Sequence, residues 1–308
     1  MAKLENFTLR SDADGLDLSA CVTLPESGAP LALVQLAHGM AEHKERYLPF
    51  MEYLADRGFA CVINDHRGHG KSVRSPKDLG YFYDGGAAAL VEDLHQLTLS
   101  FKGRFPGLKL FLFGHSMGSL AVRAYRCKYD GDIDGLVVCG SPGKNPATGI
   151  GLALNRLMTL VRGERYFSGL FVSMTTGGYA RAFPDPNTQN AWLSTNQDNV
   201  RAYDADPLCG FPFTLNGYRA LLELMRDAYR SVPAGHPELP VHFISGAEDP
   251  CAPDRNGFDA AVEALRRDGY RNVTAKMYPG MRHELLNHAE RQLVYDDLLA
   301  LLEGWAGR

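Results

Sequence analysis

An α/β architecture, with a mostly parallel sheet and helices on both faces, is predicted by three observations. Strand-like runs alternate with helical ones along most of the chain. Leu31–Ala37, Phe59–Asn64 and Lys109–Phe113 are apolar runs of the kind that strands buried on both faces require. Residues with special backbone or chemical demands cluster where those runs end, at His38-Gly39, Asp65-His66-Arg67-Gly68-His69-Gly70 and Gly114-His115-Ser116-Met117-Gly118.

Taken in order, Phe7–Arg10 and Leu18–Leu24 read as an antiparallel pair turning at Asp14-Gly15. Leu31–Ala37 is the next strand. Tyr47–Arg57 has helical periodicity and stops at Gly58. Strand Phe59–Asn64, helix Ala87–Phe101, strand Lys109–Phe113, helix Leu120–Tyr129 and strand Gly135–Cys139 follow. From Ser141 to about Pro212 no strand–helix pair is legible, and Ile150–Val161 is an apolar helical patch within the segment. The rhythm resumes with helix Leu215–Tyr229, strand Val241–Ser245, helix Gly257–Arg267, strand Val273–Tyr278 and helix Leu285–Leu302. A core of residues 1–140 and 213–308 with an inserted lid at 141–212 is expected, because long irregular insertions in regular domains are usually functional. Its place after a strand C-terminus puts it where such sheets bind ligands.

The chain has 308 residues, 45% of them hydrophobic, which suffices for one large core. The formal net charge is −4 and the charges are interspersed, so no nucleic-acid footprint is present. Six cysteines are scattered without a CxxC pair, which argues against a disulfide framework or a zinc site. No apolar leader and no run of membrane-spanning length is visible, and the chain reads as a cytoplasmic protein.

The chemistry centres on Ser116. A strand ending in Gly-x-Ser-x-Gly, followed at once by a helix-forming segment, lifts a serine hydroxyl above the sheet in a cramped turn. Glycines on either side are needed because a Cβ there would collide with the neighbouring strand and helix. A serine hydroxyl is a poor nucleophile unless a base lies in reach and an acid orients that base. Asp249, after strand Val241–Ser245, is the expected acid, with Glu248 and Asp254 as alternatives. His283, after strand Val273–Tyr278, is the expected base. The negative charge that develops on an attacked carbonyl needs backbone N–H donors. Met117 and Met40 are expected to supply them, one after the nucleophile and the other in the loop after Leu31–Ala37. The pairs His38/His43 and His66/His69 lack the HExxH form, so no metal or other cofactor is expected, and His38 and His66 are read as bonding to backbone.

Together, His38-Gly39-Met40-Ala41-Glu42-His43, Asp65-His66-Arg67-Gly68-His69-Gly70-Lys71-Ser72, Gly114-His115-Ser116-Met117-Gly118-Ser119, Gly246-Ala247-Glu248-Asp249-Pro250 and Gly280-Met281-Arg282-His283-Glu284 resemble the monoacylglycerol lipase and lysophospholipase group of α/β-hydrolases. The similarity runs from about Val34 to the last helix, with the inserted segment matching poorly. The resemblance implies an eight-stranded sheet, a Ser116–Asp249–His283 triad, an oxyanion hole at Met40 and Met117, and a lid over an acyl pocket. It implies a small-molecule ester substrate and no cofactor. Within the lid, Ile150, Leu154, Leu157 and Met158 are expected to border the substrate pocket. Transient contact with a membrane surface and packing on a second subunit are the competing uses of the same patch.

Two rival activities follow from the same residues. A peptidase or amidase of this fold would need acids to bind a substrate amine, and the lid offers Glu164, Asp185, Asp198, Asp204 and Asp206. A non-catalytic binding protein of the fold would be expected to lack a triad residue, and none is missing.

Overall fold

The computed structural model describes residues 2–252 and 255–307. Eight strands form one sheet: β1 (Lys3–Arg10), β2 (Asp17–Leu24), β3 (Leu33–Ala37), β4 (Ala60–Asn64), β5 (Leu110–His115), β6 (Gly135–Cys139), β7 (Val241–Gly246) and β8 (Val273–Tyr278). Their spatial order is β1-β2-β4-β3-β5-β6-β7-β8. β2 pairs antiparallel with β1 and with β4, and the pairs from β4 through β8 are parallel.

Side chains alternate between the two sheet faces, as period two requires. In β5, Phe111 and Phe113 join the core with Phe50, Leu54 and Leu298, whereas Leu110 and Leu112 join the opposite core with Leu94, Leu120 and Leu224. Helices cover both faces: α1 (Leu48–Ala55), α2 (Gly86–Arg104) and α3 (Met117–Tyr129) come before the inserted segment.

The inserted segment is more regular than its sequence suggests. It holds α4 (Thr148–Arg162), α5 (Gly169–Met174), α6 (Thr176–Ala182) and α7 (Gln197–Ala205). Only α4 carries a long enough apolar stripe to announce itself. The others are one or two turns long, and their order comes from what they pack against. After them come α8 (Leu215–Ala228), α9 (Arg255–Arg267) and α10 (Arg291–Ala306).

The last helix departs from expectation by starting at Arg291 instead of Leu285. Leu285 and Leu286 are buried in a separate 3-10 turn, so their apolar spacing reflects core packing before the helix begins. No helix among the described residues is long and apolar enough to cross a membrane.

The strand order reverses between β3 and its neighbours β4 and β5. Chain connections leave β3 and β5 in opposite directions there, which opens a crevice at their C-terminal ends. His38-Gly39-Met40 and Ser116 sit at those two ends.

Candidate active site

Ser116 lies between β5 and α3 with φ 54° and ψ −118°, a strained conformation for a residue with a Cβ. The surroundings enforce it. Ser116 N–H donates to the Cys139 carbonyl on β6, and the Ser116 carbonyl accepts from Ser119 and Leu120 N–H. The two glycines keep the strand, turn and helix in close contact. A Cβ on Gly118 would fall 2.1 Å from the Ala37 carbonyl oxygen of β3, and one on Gly114 would fall 2.5 Å from the Gly118 carbonyl oxygen.

Asp249 and His283 meet beside this turn. His283 Nδ1 stands 3.0 Å from each carboxylate oxygen of Asp249. Asp249 also accepts from Cys251 N–H at 2.9 Å and Ser245 hydroxyl at 3.2 Å. Burial works against its charge, but His283 and the N–H donor more than compensate, and its pKa lies below the usual carboxylate range. Of the alternative acids, Glu248 is exposed and its near neighbour is Arg282 at 3.8 Å. Asp254 lies outside the described residues.

Ser116, His283, Met40 and Met117 all border one cavity of about 500 Å³. The Met117 N–H stands at the first position of α3, where helix N–H groups lack intrahelical acceptors. No protein acceptor among the described residues takes it or the Met40 N–H. By contrast, Gly39 N–H is occupied by the Glu42 carboxylate at 2.5 Å.

A charged network underlies these loops and was not foreseen. Glu42 accepts from Gly39 N–H, from Tyr47 hydroxyl at 2.8 Å and from Arg46 at 3.1 Å. Arg46 also binds both oxygens of Glu284, the residue after His283. His115 bridges Glu42 and the His283 carbonyl through its two ring nitrogens. Burial opposes charge on His115, yet the Glu42 hydrogen bond and the Glu42 and Glu284 charges raise its pKa above the ordinary value. The signal for this network was the cluster Glu42–Tyr47 itself, whose partners lie far away in sequence.

The inserted segment roofs the cavity, but not with the expected side chains. Ile150, Leu154, Leu157 and Met158 are absent from its wall. Ile150 and Leu157 point to solvent with 74% and 61% exposure, and Leu154 and Met158 are half-buried against the main core. From the start of α4 the wall takes Ala147, Thr148 and Gly151. The reason is rotational: Asn155 donates to the Leu215 carbonyl and Gly151 lies close to Leu222, which turns this face of α4 toward α8. Phe171, Val172, Tyr179 and Trp192 supply further roof, with the Trp192 ring 5.1 Å from that of His283.

Two clusters among the described residues bring three metal-binding atoms close together. One is Asp249, Cys251 and His283, already described. The other is His43, Asp206 and Cys209, where carboxylates hold both ring nitrogens of His43, Glu45 at 2.7 Å and Asp206 at 2.8 Å. That second cluster is an ionic latch between the loop after β3 and the end of the inserted segment. Of the histidines in the pairs His38/His43 and His66/His69, His43 alone belongs to such a cluster among the described residues.

Comparison with known proteins assigns the chain to a family. A family model for serine aminopeptidases of the S33 type matches residues 28–290. The chain is 31% identical over 274 residues to a monoacylglycerol lipase of Mycolicibacterium smegmatis, covering 87% of each protein. It is 28% identical over 300 residues to the monoglyceride lipase of Mus musculus, covering 96% of this chain and 88% of the mouse protein. A thermostable carboxyl esterase from Bacillus coagulans, solved in complex with glycerol, superimposes with a TM-score of 0.90 at 27% identity over 99% of both chains. The chain belongs to the serine aminopeptidase S33 family and, within it, to the monoacylglycerol lipase group of α/β-hydrolases.

Proposed function

We propose that this serine hydrolase cleaves carboxylic esters carrying one acyl chain on a small alcohol, monoacylglycerols foremost, through an acyl-enzyme intermediate. The observation that carries the reading is a strained, accessible Ser116 sharing one largely apolar cavity with a His283 that is held by Asp249. Relatives named for monoacylglycerol hydrolysis and the glycerol-bound esterase support the choice of alcohol.

In this reading, Ser116 attacks the ester carbonyl while His283 Nε2 takes its proton, and Asp249 keeps the other ring proton on Nδ1. The Met40 and Met117 N–H groups bind the oxyanion, and the positive end of α3 adds to their effect. His283 then protonates the departing alcohol. A water activated by the same histidine releases the acid and regenerates Ser116. Residues 141–212 act as a lid on a core of 1–140 and 213–308. The exposed Ile150, Leu157, Leu160 and Val161 on α4 suit transient contact with a lipid surface.

The amidase reading is disfavoured by where the acids lie. Of the five lid carboxylates none borders the cavity, and among the described residues the two acids that do, Glu42 and Glu284, are both bound to Arg46. Among the described residues, a substrate amine has no free carboxylate to meet there.

The test is a series of p-nitrophenyl esters from acetate to palmitate, together with monoacylglycerols and aminoacyl-naphthylamides, on wild type and Ser116→Ala. Turnover of medium-chain esters and monoacylglycerols that vanishes in Ser116→Ala is expected. A fluorophosphonate probe that labels no serine, or naphthylamides cleaved faster than esters, would refute the reading.

A further inference from the structure

Two sequence motifs that the mechanism does not use, His38-Gly39 and Asp65-His66-Arg67-Gly68-His69-Gly70, meet beneath the oxyanion loop. The buried His38 ring lies 4.1 Å from that of His66 and 5.2 Å from that of His69. The backbone N–H of His66 donates to His38 Nε2 at 2.9 Å. A backbone N–H can only donate, so Nε2 carries no proton, and the proton of the neutral ring sits on Nδ1. That Nδ1–H donates to the Gly39 carbonyl at 2.8 Å. The His66 ring returns a bond from Nε2 to the His38 carbonyl at 3.0 Å. Burial, reinforced by the adjoining His66 and His69 rings, holds the His38 pKa well below the ordinary imidazole value, so the neutral ring persists at neutral pH.

The Gly39 carbonyl and the Met40 N–H belong to the same peptide unit. That unit is trans, so the two groups point in opposite directions. Anchoring the carbonyl on His38 therefore turns the Met40 N–H away from His38. Ser116 lies close by, since a Cβ on Gly39 would stand 3.1 Å from the Ser116 Cβ. The preceding peptide is also fixed, because Gly39 N–H is bound by Glu42.

We propose that His38 is a positioning residue for the oxyanion hole. Its Nδ1–H holds the Gly39–Met40 peptide so that the Met40 N–H meets the developing oxyanion, and the His66 backbone N–H selects the tautomer able to do this. With the peptide flipped, a carbonyl oxygen would face the oxyanion, and attraction would become repulsion. The inference rests on the reading of Ser116 and Met40 given above. It assigns the Asp-His-Arg-Gly-His-Gly loop a task at a site it does not touch.

Two variants test it, His38→Ala and His38→Asn, each checked for folding by urea denaturation. Asparagine places an N–H near the position of Nδ1 and can keep the bond to the Gly39 carbonyl. His38→Ala is expected to lower kcat about 10²-fold, near the effect of losing one oxyanion donor, with KM little changed. Affinity for a trifluoromethyl ketone, whose enzyme adduct carries the oxyanion, should fall with kcat/KM. Affinity for the matching alcohol should hold, and so should the pH dependence of kcat/KM. His38→Asn should recover most of the loss in both kcat and ketone affinity. The inference is overturned if folded His38→Ala keeps its ketone affinity, if alcohol affinity falls in parallel, or if His38→Asn is as impaired as His38→Ala. A wild type that neither hydrolyses esters nor binds the ketone would instead remove the reading beneath it.

Discussion

Arg46 and Glu284 lie 238 positions apart and are joined by two hydrogen bonds of 2.7 Å each. The same guanidinium reaches Glu42; the Glu42 and Glu284 side chains are each 3% exposed and that of Arg46 is 10% exposed. Arg46 thus ties the loop after β3 to the segment carrying His283. Asn199 on α7 binds both partners as well, accepting from Arg46 at 3.0 Å and donating to Glu284 at 2.6 Å, so the inserted segment shares the joint.

Removing Arg46 would leave two buried carboxylates without their cation. Arg46→Ala is expected to destabilise the fold by about 3–5 kcal/mol, the range for breaking a buried ion pair from one side. Urea denaturation measures it. A loss below about 1 kcal/mol, typical of a surface pair, would contradict the assignment.

The proposed acid, Asp249, can be told apart from its neighbour Glu248. Asp249→Asn should keep the fold and lower kcat about 10⁴-fold, because the amide favours the wrong imidazole tautomer. Glu248→Gln should leave ester turnover near wild type, given its exposed position. The reverse pattern in steady-state kinetics would move the role to Glu248.

His43 makes stability depend on alkaline pH. Burial opposes its charge, but hydrogen bonds to Cys209, Glu45 and Asp206 carry its pKa up to about 10. The pKa is raised on folding, so its contribution is complete below the unfolded value of about 6.5 and is lost as pH rises toward about 10. His43→Gln should therefore be less stable than wild type at pH 6, with the difference shrinking by pH 10. Thermal or urea midpoints across that window report it, and a gap independent of pH would contradict the charged latch.

The lipid contact proposed for the outward face of α4 can be tested apart from the chemistry. The double variant Ile150→Ser/Leu157→Ser should hydrolyse a soluble p-nitrophenyl ester as wild type does, since neither side chain borders the cavity. On monoacylglycerol presented in vesicles its rate should fall. Equal rates on vesicles would show that this face plays no part in reaching lipid.

The parallel core was legible because its strands are short apolar runs whose ends carry conspicuous residues. Ser116, Asp249 and His283 could be picked for the same reason: each follows a readable strand, and strand ends in a parallel sheet converge. The inserted segment was legible only as an interruption. Its short helices carry little periodicity, and the rotation of α4 depends on contacts with α8 some 60 residues away. That rotation exchanged the expected Ile150, Leu154, Leu157 and Met158 for Ala147, Thr148 and Gly151 at the cavity wall.

The sequence by itself determined the sheet, the serine turn and the chain order of Ser116, Asp249 and His283, because these follow from local periodicity and from close-contact demands at Gly114 and Gly118. Only the tertiary structure decided the rest. It brought Arg46 to Glu284, His43 to Asp206 and the His66 backbone to the His38 ring. Such pairings depend on the distance and direction between side chains on separate loops, which no local pattern encodes. The size and lining of the cavity belong to the same category, since they are fixed by how one helix rolls against another.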